Sequence, residues 1–304
     1  MTATADSILE RRKLRRRVAL WRILAILAIV VAVVSLVPWS GTKQTKAHIA
    51  RISIAGPILD ERARLEGIAK VRDSDQAKAL VVEISSPGGT AAGSEAIFEA
   101  LREVAETKPV VAMMGEVAAS GGYIVALGAD RIYARQTTIT GSIGVISQVP
   151  NVSGLLEKIG VDVTEIKSSP LKAAPSPVVP NDPAALAALE GLIVDSYDWF
   201  RDLVSERRGL EGVGLATVID GRVFTGRQAL ELGLIDAIGT ESEMRDWLAS
   251  EHDLGTDLPL RRYRTAPVDL PFPFDAFEDQ LEGWLPAAGL PLAPGPRLLT
   301  LYTG

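Results

Sequence analysis

The sequence contains no cysteine and only two histidines among its 304 residues. The absence of cysteine excludes a thiol nucleophile, disulfide bridges and zinc sites built on thiolates. His48 comes soon after an apolar run, and His252 lies in a charged segment before the C-terminal tail. Neither stands in a context that supports a nucleophile, so we expect both to be structural or surface residues. A serine–histidine hydrolase therefore lacks an evident base.

An excess of positive charge is also missing. The formal net charge is −6, which argues against nucleic acid as a partner. The basic residues that do cluster lie at the N-terminus, within residues 1–17, where Arg11 to Lys13 and Arg15 to Arg17 form two runs. Such a cluster before an apolar run is typical of a cytoplasmic flank of a membrane segment.

Residues 18–38 predict a transmembrane signal anchor. An uncharged run that is apolar except for Ser35 extends from Ile23 to Val37, and Arg22 at the basic end is the one charge among the 20 residues from Val18. That length is sufficient to span a bilayer. A cleaved signal peptide is the alternative, although no A-x-A cleavage pattern follows Val37. Both interpretations place the rest of the chain outside the cytoplasm, after a polar linker at 39–47.

The region from 48 to 134 predicts an α/β fold with a mostly parallel sheet. Strand-like runs at 48–56, 79–84, 109–114 and 131–134 alternate with helical patterns, including one at 91–106. Glycine-rich turns at 85–90 and 115–122 follow two of these strands, where open sheets of this kind gather their chemistry. A long helix is expected at 184–208. Residues 257–304 are proline-rich, which predicts a mobile or partner-dependent extension.

Ser120 is the candidate nucleophile. It lies between a predicted buried strand and a predicted helix, and every residue within two positions of it is alanine or glycine. Small neighbours permit a sharp turn that presents one hydroxyl, close to the nucleophile elbow G-x-S-x-G with Ala118 in the first glycine position. The alternative is a tight strand-to-helix turn with a capping serine.

A lysine is the remaining type of base for such a serine. The chain has nine lysines, and none lies after Lys172. Lys172 differs from the others because small and apolar residues surround it, from Ser169 to Pro175. A base lysine must be neutral near pH 7, which requires that burial lower its pKa from about 10.4. The alternative for Lys172 is a solvated charge on a loop.

Two glycines qualify as donors of an oxyanion hole. The N–H of Gly121 directly follows Ser120, and Gly89 ends the turn Ser86-Pro87-Gly88-Gly89, where the missing Cβ permits close approach of the backbone to a substrate. A phosphate-binding loop is the alternative for this turn, but the pattern G-x-x-x-x-G-K is absent.

These motifs together resemble the S49 serine peptidases, the family of the signal peptide peptidases. The resemblance covers roughly residues 48–248. It rests on five segments in the family's order: 86–89, 119–123, 140–145, the lysine loop at 172, and 221–226. It implies a Clp-protease/crotonase-like spiral α/β fold for a peptidase domain at 48–256, a membrane anchor and ring-like homo-oligomers.

The resemblance also implies the roles of individual residues. Ser120 and Lys172 fall on the Ser–Lys dyad, Gly89 and Gly121 on the oxyanion donors, and Ser142 on the serine that orients the base. The lysine loop departs from the family pattern, because the usual glycine and the acidic residue after the lysine are missing. Lys167 is therefore the fallback base.

The expected protein is a membrane-anchored serine endopeptidase of the bacterial cell envelope. Its expected substrates are cleaved signal peptides and other extended apolar peptides, which would pair with backbone near Gly88, Thr90 and Ala91. No cofactor or metal is implied. Two other classes remain open: an acyl-CoA enzyme of the crotonase type, against which an export anchor argues, and an inactive membrane scaffold.

Overall fold

The computed structural model describes residues 21–22, 46–59 and 62–263. Within these ranges the strands are β1 His48–Ala55, β2 Ala77–Ser86, β3 Val110–Ala119, β4 Arg131–Ala134, β5 Ile139–Gly141, β6 Val223–Thr225, β7 Ala237–Ile238 and β8 Leu260–Arg262. The helices are α1 Arg62–Arg72, α2 Ala91–Ala105, α3 Gly121–Leu127, α4 Ser153–Lys158, α5 Pro183–Arg208, α6 Gly212–Val218, α7 Gly226–Glu231 and α8 Glu241–His252.

The described strands form one sheet that is parallel except at one pair. Its main path runs β6-β5-β3-β2-β1-β8, while β4 pairs with both β3 and β7. Only β5 and β6 pair antiparallel among the described strands. The mixed α/β architecture with a mostly parallel sheet is therefore confirmed, whereas the finer spiral arrangement stays a prediction.

Strand β3 changes partners along its length. Its first half pairs with β4 from Val111 to Met113, and its second half pairs with β5 from Val117 to Ala119. The register against β2 shifts between these halves, so that the strand contains an irregularity at Gly115 to Val117. The second half thereby leads directly to Ser120.

The two faces of the sheet have separate cores. On one face the alternate β1 residues Ala50, Ile52 and Ile54 belong to the large core that also includes buried residues of α1, α2, α3 and α5. On the other face a smaller cluster joins Ile49 and neighbouring strand residues to Met244 and Leu248 of α8. The period of two along the strands explains this division.

Hydrogen bonds from later elements fix helix α3. The buried hydroxyl of Tyr123 donates to the carbonyl of Leu234 at 2.8 Å. The guanidinium of Arg207 donates to the carbonyls of Leu127 and Ala129, both at 2.9 Å, at the C-terminal end of α3. Burial raises the pKa of Tyr123. The helix that follows Ser120 is therefore held at both ends of its length by residues more than 70 positions away.

The helices and strands predicted between 48 and 134 and at 184–208 are present, but β3 continues to Ala119, into the predicted turn at 115–122, and the short elements β5, β6, β7, β8 and α6 are additions. Strand β8, Leu260–Arg262, pairs in parallel with β1 and lies in the segment that the sequence assigns to the tail. No helix among the described residues is long and apolar enough to span a bilayer. The predicted anchor at 18–38 lies almost wholly outside those residues, as do most of the linker at 39–47 and the tail after Tyr263.

Candidate active site

Ser120 occupies a sharp turn between β3 and α3. Its φ is 53° and its ψ is −121°, a conformation that is strained for a residue with a side chain. The backbone N–H of Ser120 donates to the carbonyl of Gly141 at 2.8 Å, and its carbonyl accepts from the N–H groups of Tyr123 and Ile124. The turn is thus fixed by its backbone, and the side chain makes no capping hydrogen bond. The geometry supports a nucleophile elbow rather than a capping serine.

The two glycine turns meet beside Ser120. A Cβ on Gly88, whose φ is +109°, would lie 2.8 Å from the nitrogen of Gly121 and 3.0 Å from the Cβ of Ser120. A Cβ on Gly121 would lie 3.2 Å from the nitrogen of Gly89. The candidate donors Gly89 and Gly121 are therefore neighbours across this contact, as an oxyanion hole requires.

The N–H groups of Gly89 and Gly121 are available to a ligand. The bridge between Ile58 and Gly89 uses the carbonyl of Gly88 and the N–H of Thr90, which bond to Ile58 at 3.0 and 2.9 Å. Gly121 is the first residue of α3, where backbone N–H groups lack partners within the helix. Neither N–H has an acceptor among the described residues.

Ser94 links the glycine turn before Thr90 to the turn at Ser120. It lies on α2, is fully buried, and its hydroxyl donates to the carbonyl of Thr90 at 2.9 Å. A Cβ on Gly121 would lie 2.2 Å from the Ser94 Oγ, so α2 and the start of α3 are in direct contact at this point. Packing against Ser94 therefore favours glycine at 121. The sequence offered no signal for Ser94.

Ser120 opens into a cleft of about 320 Å³. The cleft also contains both candidate oxyanion glycines, together with Thr90 and Ala91. Ile124 of α3 also lines it. The remaining wall comes from α5 and from the segment after β5, and its members are mostly apolar: Gly144, Val145, Ile146, Ser196, Trp199 and Phe200. The sequence predicted helix α5 but gave no indication that it faces Ser120. A cleft with one hydroxyl, two N–H donors and apolar walls suits an extended apolar chain.

Lys172 does not line this cleft. It is exposed, it lies in an irregular segment between α4 and α5, and its Nζ has no hydrogen-bond or ion-pair partner among the described residues. The structure of the single chain therefore brings together Ser120, Gly89 and Gly121 but leaves the predicted base apart from them.

The other two members of the predicted base region differ in position: Lys167 does not line the cleft, whereas Ser142 directly follows Gly141, whose carbonyl accepts from the N–H of Ser120. The Nζ of Lys167 forms an ion pair with Glu165 at 2.5 Å, and this hydrogen bond lowers the pKa of Glu165. Ser142 follows β5 with a φ of 52°, and its N–H donates to the carbonyl of Arg222 at 2.9 Å. Ser142 makes no contact with Lys172 that the structure records.

The histidines take structural positions. His48 is fully buried, and its ring nitrogens lie 3.0 Å from the carbonyl of Lys46 and 3.0 Å from the hydroxyl of Tyr263. His252 ends α8 and packs edge-on against Trp247. Neither lines the Ser120 cleft. Among the described residues, no cluster of three or more His, Asp or Glu side chains is arranged to hold a metal.

The profile described as Peptidase family S49 matches residues 102–255. A protein of Synechocystis sp. whose name describes it as a protease is 41% identical over 221 residues, which cover 72% of this chain and 79% of that protein. A chloroplastic serine protease SPPA of Arabidopsis thaliana is 37% identical over 192 residues, 62% of this chain and 28% of that protein. A protein named protease 4 from Salmonella typhi is 32% identical over 77% of this chain and 38% of its own length.

Proposed function

The chain belongs to peptidase family S49, and from that premise we propose that it is a serine endopeptidase with Ser120 as its nucleophile. The observation that carries the proposal is the strained turn at Ser120 beside two unpaired N–H groups, those of Gly89 and Gly121. The relatives named as proteases support peptide-bond hydrolysis over the other uses of such a site.

The proposed reaction begins at the Ser120 hydroxyl. Ser120 attacks the peptide carbonyl while a base takes its proton, and the N–H groups of Gly89 and Gly121 stabilise the oxyanion that forms. The base then gives that proton to the leaving amine, and water releases the acyl group from Ser120. Each oxyanion donor of this kind is worth roughly 10²–10³ in kcat.

Lys172 is the proposed base. Because it is exposed and lies apart from the cleft, the dyad requires that the loop around Lys172 be brought against Ser120 by assembly. We propose that a second copy of the chain in a homo-oligomer provides this contact, with Ser142 orienting the lysine. Lys167, which is already paired with Glu165, is the less suitable base.

Exposed apolar residues support assembly through the region around Lys172. Helix α4 contains Leu155 and Leu156 but has no buried residue. Many large hydrophobic side chains between residues 146 and 194 are exposed, and Ile166 is the most exposed of them at 97%. The set is Ile146, Val152, Leu155, Ile159, Val161, Ile166, Leu171, Leu186, Leu192 and Val194. A concentration of this kind is typical of a protein–protein contact surface.

The proposed substrates are extended apolar peptides, among them cleaved signal peptides. The apolar walls of the cleft support this choice. The backbone of Gly88 and Thr90 already bonds to Ile58, so a substrate would pair with Gly89 rather than with these neighbours. We further propose that residues 18–38 anchor the protein in the inner membrane, with the catalytic domain on the extracytoplasmic side.

The test is hydrolysis of a fluorogenic apolar peptide by the full-length protein and three variants. Ser120→Ala and Lys172→Ala should each abolish hydrolysis, whereas Lys167→Ala should retain it. Mixing Ser120→Ala with Lys172→Ala protein should restore part of the activity, because an assembled site can then take its serine and its lysine from different copies. Full activity of Ser120→Ala would refute the nucleophile, and loss on Lys167→Ala alone would refute the base.

A further inference from the structure

A second cavity, larger than the Ser120 cleft, lies beside the start of α8. Its volume is about 490 Å³, and it is bounded by β1, β2, β3 and the turn that enters α8. Three of the four methionines of the chain line it: Met113, Met114 and Met244. We call it the methionine cavity. Ser120 and the oxyanion glycines are not part of its wall.

The polar groups of the methionine cavity are incompletely satisfied. Arg51 forms an ion pair with Glu83, yet its Nε is buried and has no hydrogen-bond partner. It is the one buried side-chain nitrogen or oxygen in that condition among the described residues. Arg135 also lines the cavity and its guanidinium has no partner within the described part of the chain. Glu241 is paired with Arg245.

These features indicate the chemical class of ligand that suits the methionine cavity. Flexible methionine side chains adapt to apolar and aromatic groups. Glu83 pairs with Arg51 and Glu241 pairs with Arg245, so Arg135 is the charged lining residue without a partner among the described residues, and the Nε of Arg51 is a donor without an acceptor there. The cavity therefore fits a peptide that combines aromatic side chains with carboxylates.

The chain itself carries such a peptide a short distance after β8 in the sequence. Strand β8 runs beside β1, its Leu260 lines the methionine cavity, and the N–H of Tyr263 donates to the carbonyl of Arg51 at 2.8 Å. The chain thus leaves the described fold next to Arg51, and residues 264–304 follow. Residues 270–282 of this tail contain half of the six phenylalanines of the chain, namely Phe272, Phe274 and Phe277, and the four acids Asp275, Glu278, Asp279 and Glu282.

We propose that residues 270–282 dock in the methionine cavity of their own chain. The six residues from 264 to 269 reach about 20 Å when extended, which is sufficient to enter a cavity that begins beside Arg51. The phenylalanine rings contact the methionines, a backbone or carboxylate oxygen accepts from the Nε of Arg51, and an acidic side chain pairs with Arg135. This docking is independent of the proposed peptidase chemistry.

The absence of native cysteine makes a direct test available. In the full-length protein with Ser120→Ala, Met113→Cys is combined with Phe274→Cys, and disulfide formation is followed under mild oxidation. The matched control replaces Met113→Cys by Glu99→Cys, at an exposed position on α2. We expect an intramolecular cross-link for the first pair only. Equal cross-linking of the control, or no cross-link, overturns the proposal, and a covalent dimer assigns the tail of a second copy instead of the same chain.

Methionine oxidation provides a measurement that needs no cysteine. Docking should protect Met113 from a mild oxidant in the full-length protein. The triple variant Phe272→Ser, Phe274→Ser, Phe277→Ser should expose it, and we expect its oxidation rate to rise about fivefold, whereas that of Met1 stays constant as the internal reference. An unchanged rate at Met113 in the triple variant contradicts docking, and so does an equal rise at Met1.

Discussion

Gly121→Ala is expected to disable the active site through a contact that a second substitution can relieve. The new methyl would lie 2.2 Å from the Oγ of Ser94, which α2 holds in place by the hydrogen bond to Thr90. Real Cβ atoms do not approach that closely, and because rotation of the Ser94 hydroxyl would break its hydrogen bond to Thr90, we expect the start of α3 to move. The N–H of residue 121 moves with it, away from the oxyanion that it should bind.

The expected magnitude follows from the two contacts of the methyl group. Displacing one oxyanion donor should lower kcat by about 10²–10³, which is about 2.7–4 kcal/mol. Ser94→Ala removes the Oγ but leaves the Cβ of residue 94 at 3.3 Å and the nitrogen of Gly89 at 3.2 Å from the new methyl. The double variant Ser94→Ala, Gly121→Ala should therefore recover about tenfold, a coupling of about 1.4 kcal/mol.

The assay is kcat and KM on a fluorogenic apolar peptide, with thermal unfolding of each variant as the check on folding. Ser94→Ala alone should cost about 0.5–1.5 kcal/mol of stability, because the Thr90 carbonyl keeps a second donor in the N–H of Ser94. Gly122→Ala is the matched control, since its methyl would meet the carbonyl of Ser86 at 2.7 Å and not Ser94. Unchanged kcat in Gly121→Ala, or equal rescue of both glycine variants by Ser94→Ala, would refute the reasoning.

Three further predictions concern the cleft, the base and the fold. Trp199→Ala should enlarge the cleft and shift the substrate preference towards larger residues at the scissile bond. The measurement is the ratio of kcat/KM values across a series of peptides, and Trp247→Ala on α8 should leave that ratio constant. Activity should rise with pH, because the base acts when neutral, and a flat pH–rate profile would contradict a lysine base. Lys108→Met should lower the free energy of unfolding by about 1–3 kcal/mol in a denaturant titration. The reason is that the Lys108 Nζ donates to the carbonyls of Val71, Arg72 and Ser74 at the end of α1. Lys70→Met, at an exposed position on the same helix, should change the free energy of unfolding little.

The elements that the sequence predicts well are those with local signals. The alternation of apolar runs and helical patterns from His48 to Ala134 is sufficient to predict a mostly parallel sheet. The reason is that the periodicity of a strand or a helix can be recognised from residues that are close in sequence. The turn at Ser120 was also predicted, since alanine and glycine on both sides permit a tight conformation. The short strand β8 was missed because a three-residue strand has no periodicity of its own and is defined by its partner β1.

The sequence by itself determined the chemistry that is available to this protein. The chain has no cysteine, and neither of its two histidines stands in a context that suits a base, so lysine was the remaining type of base for Ser120. The glycines indicated where backbone N–H groups could bind an oxyanion. Only the tertiary structure decided which of these groups meet. It places Gly89 beside Gly121, it brings Ser94 and Trp199 to the site from distant helices, and it leaves Lys172 outside the cleft of the single chain. The reason is physical: a residue type fixes what a side chain can donate or accept, whereas the distance between two side chains depends on the packing of every element that separates them.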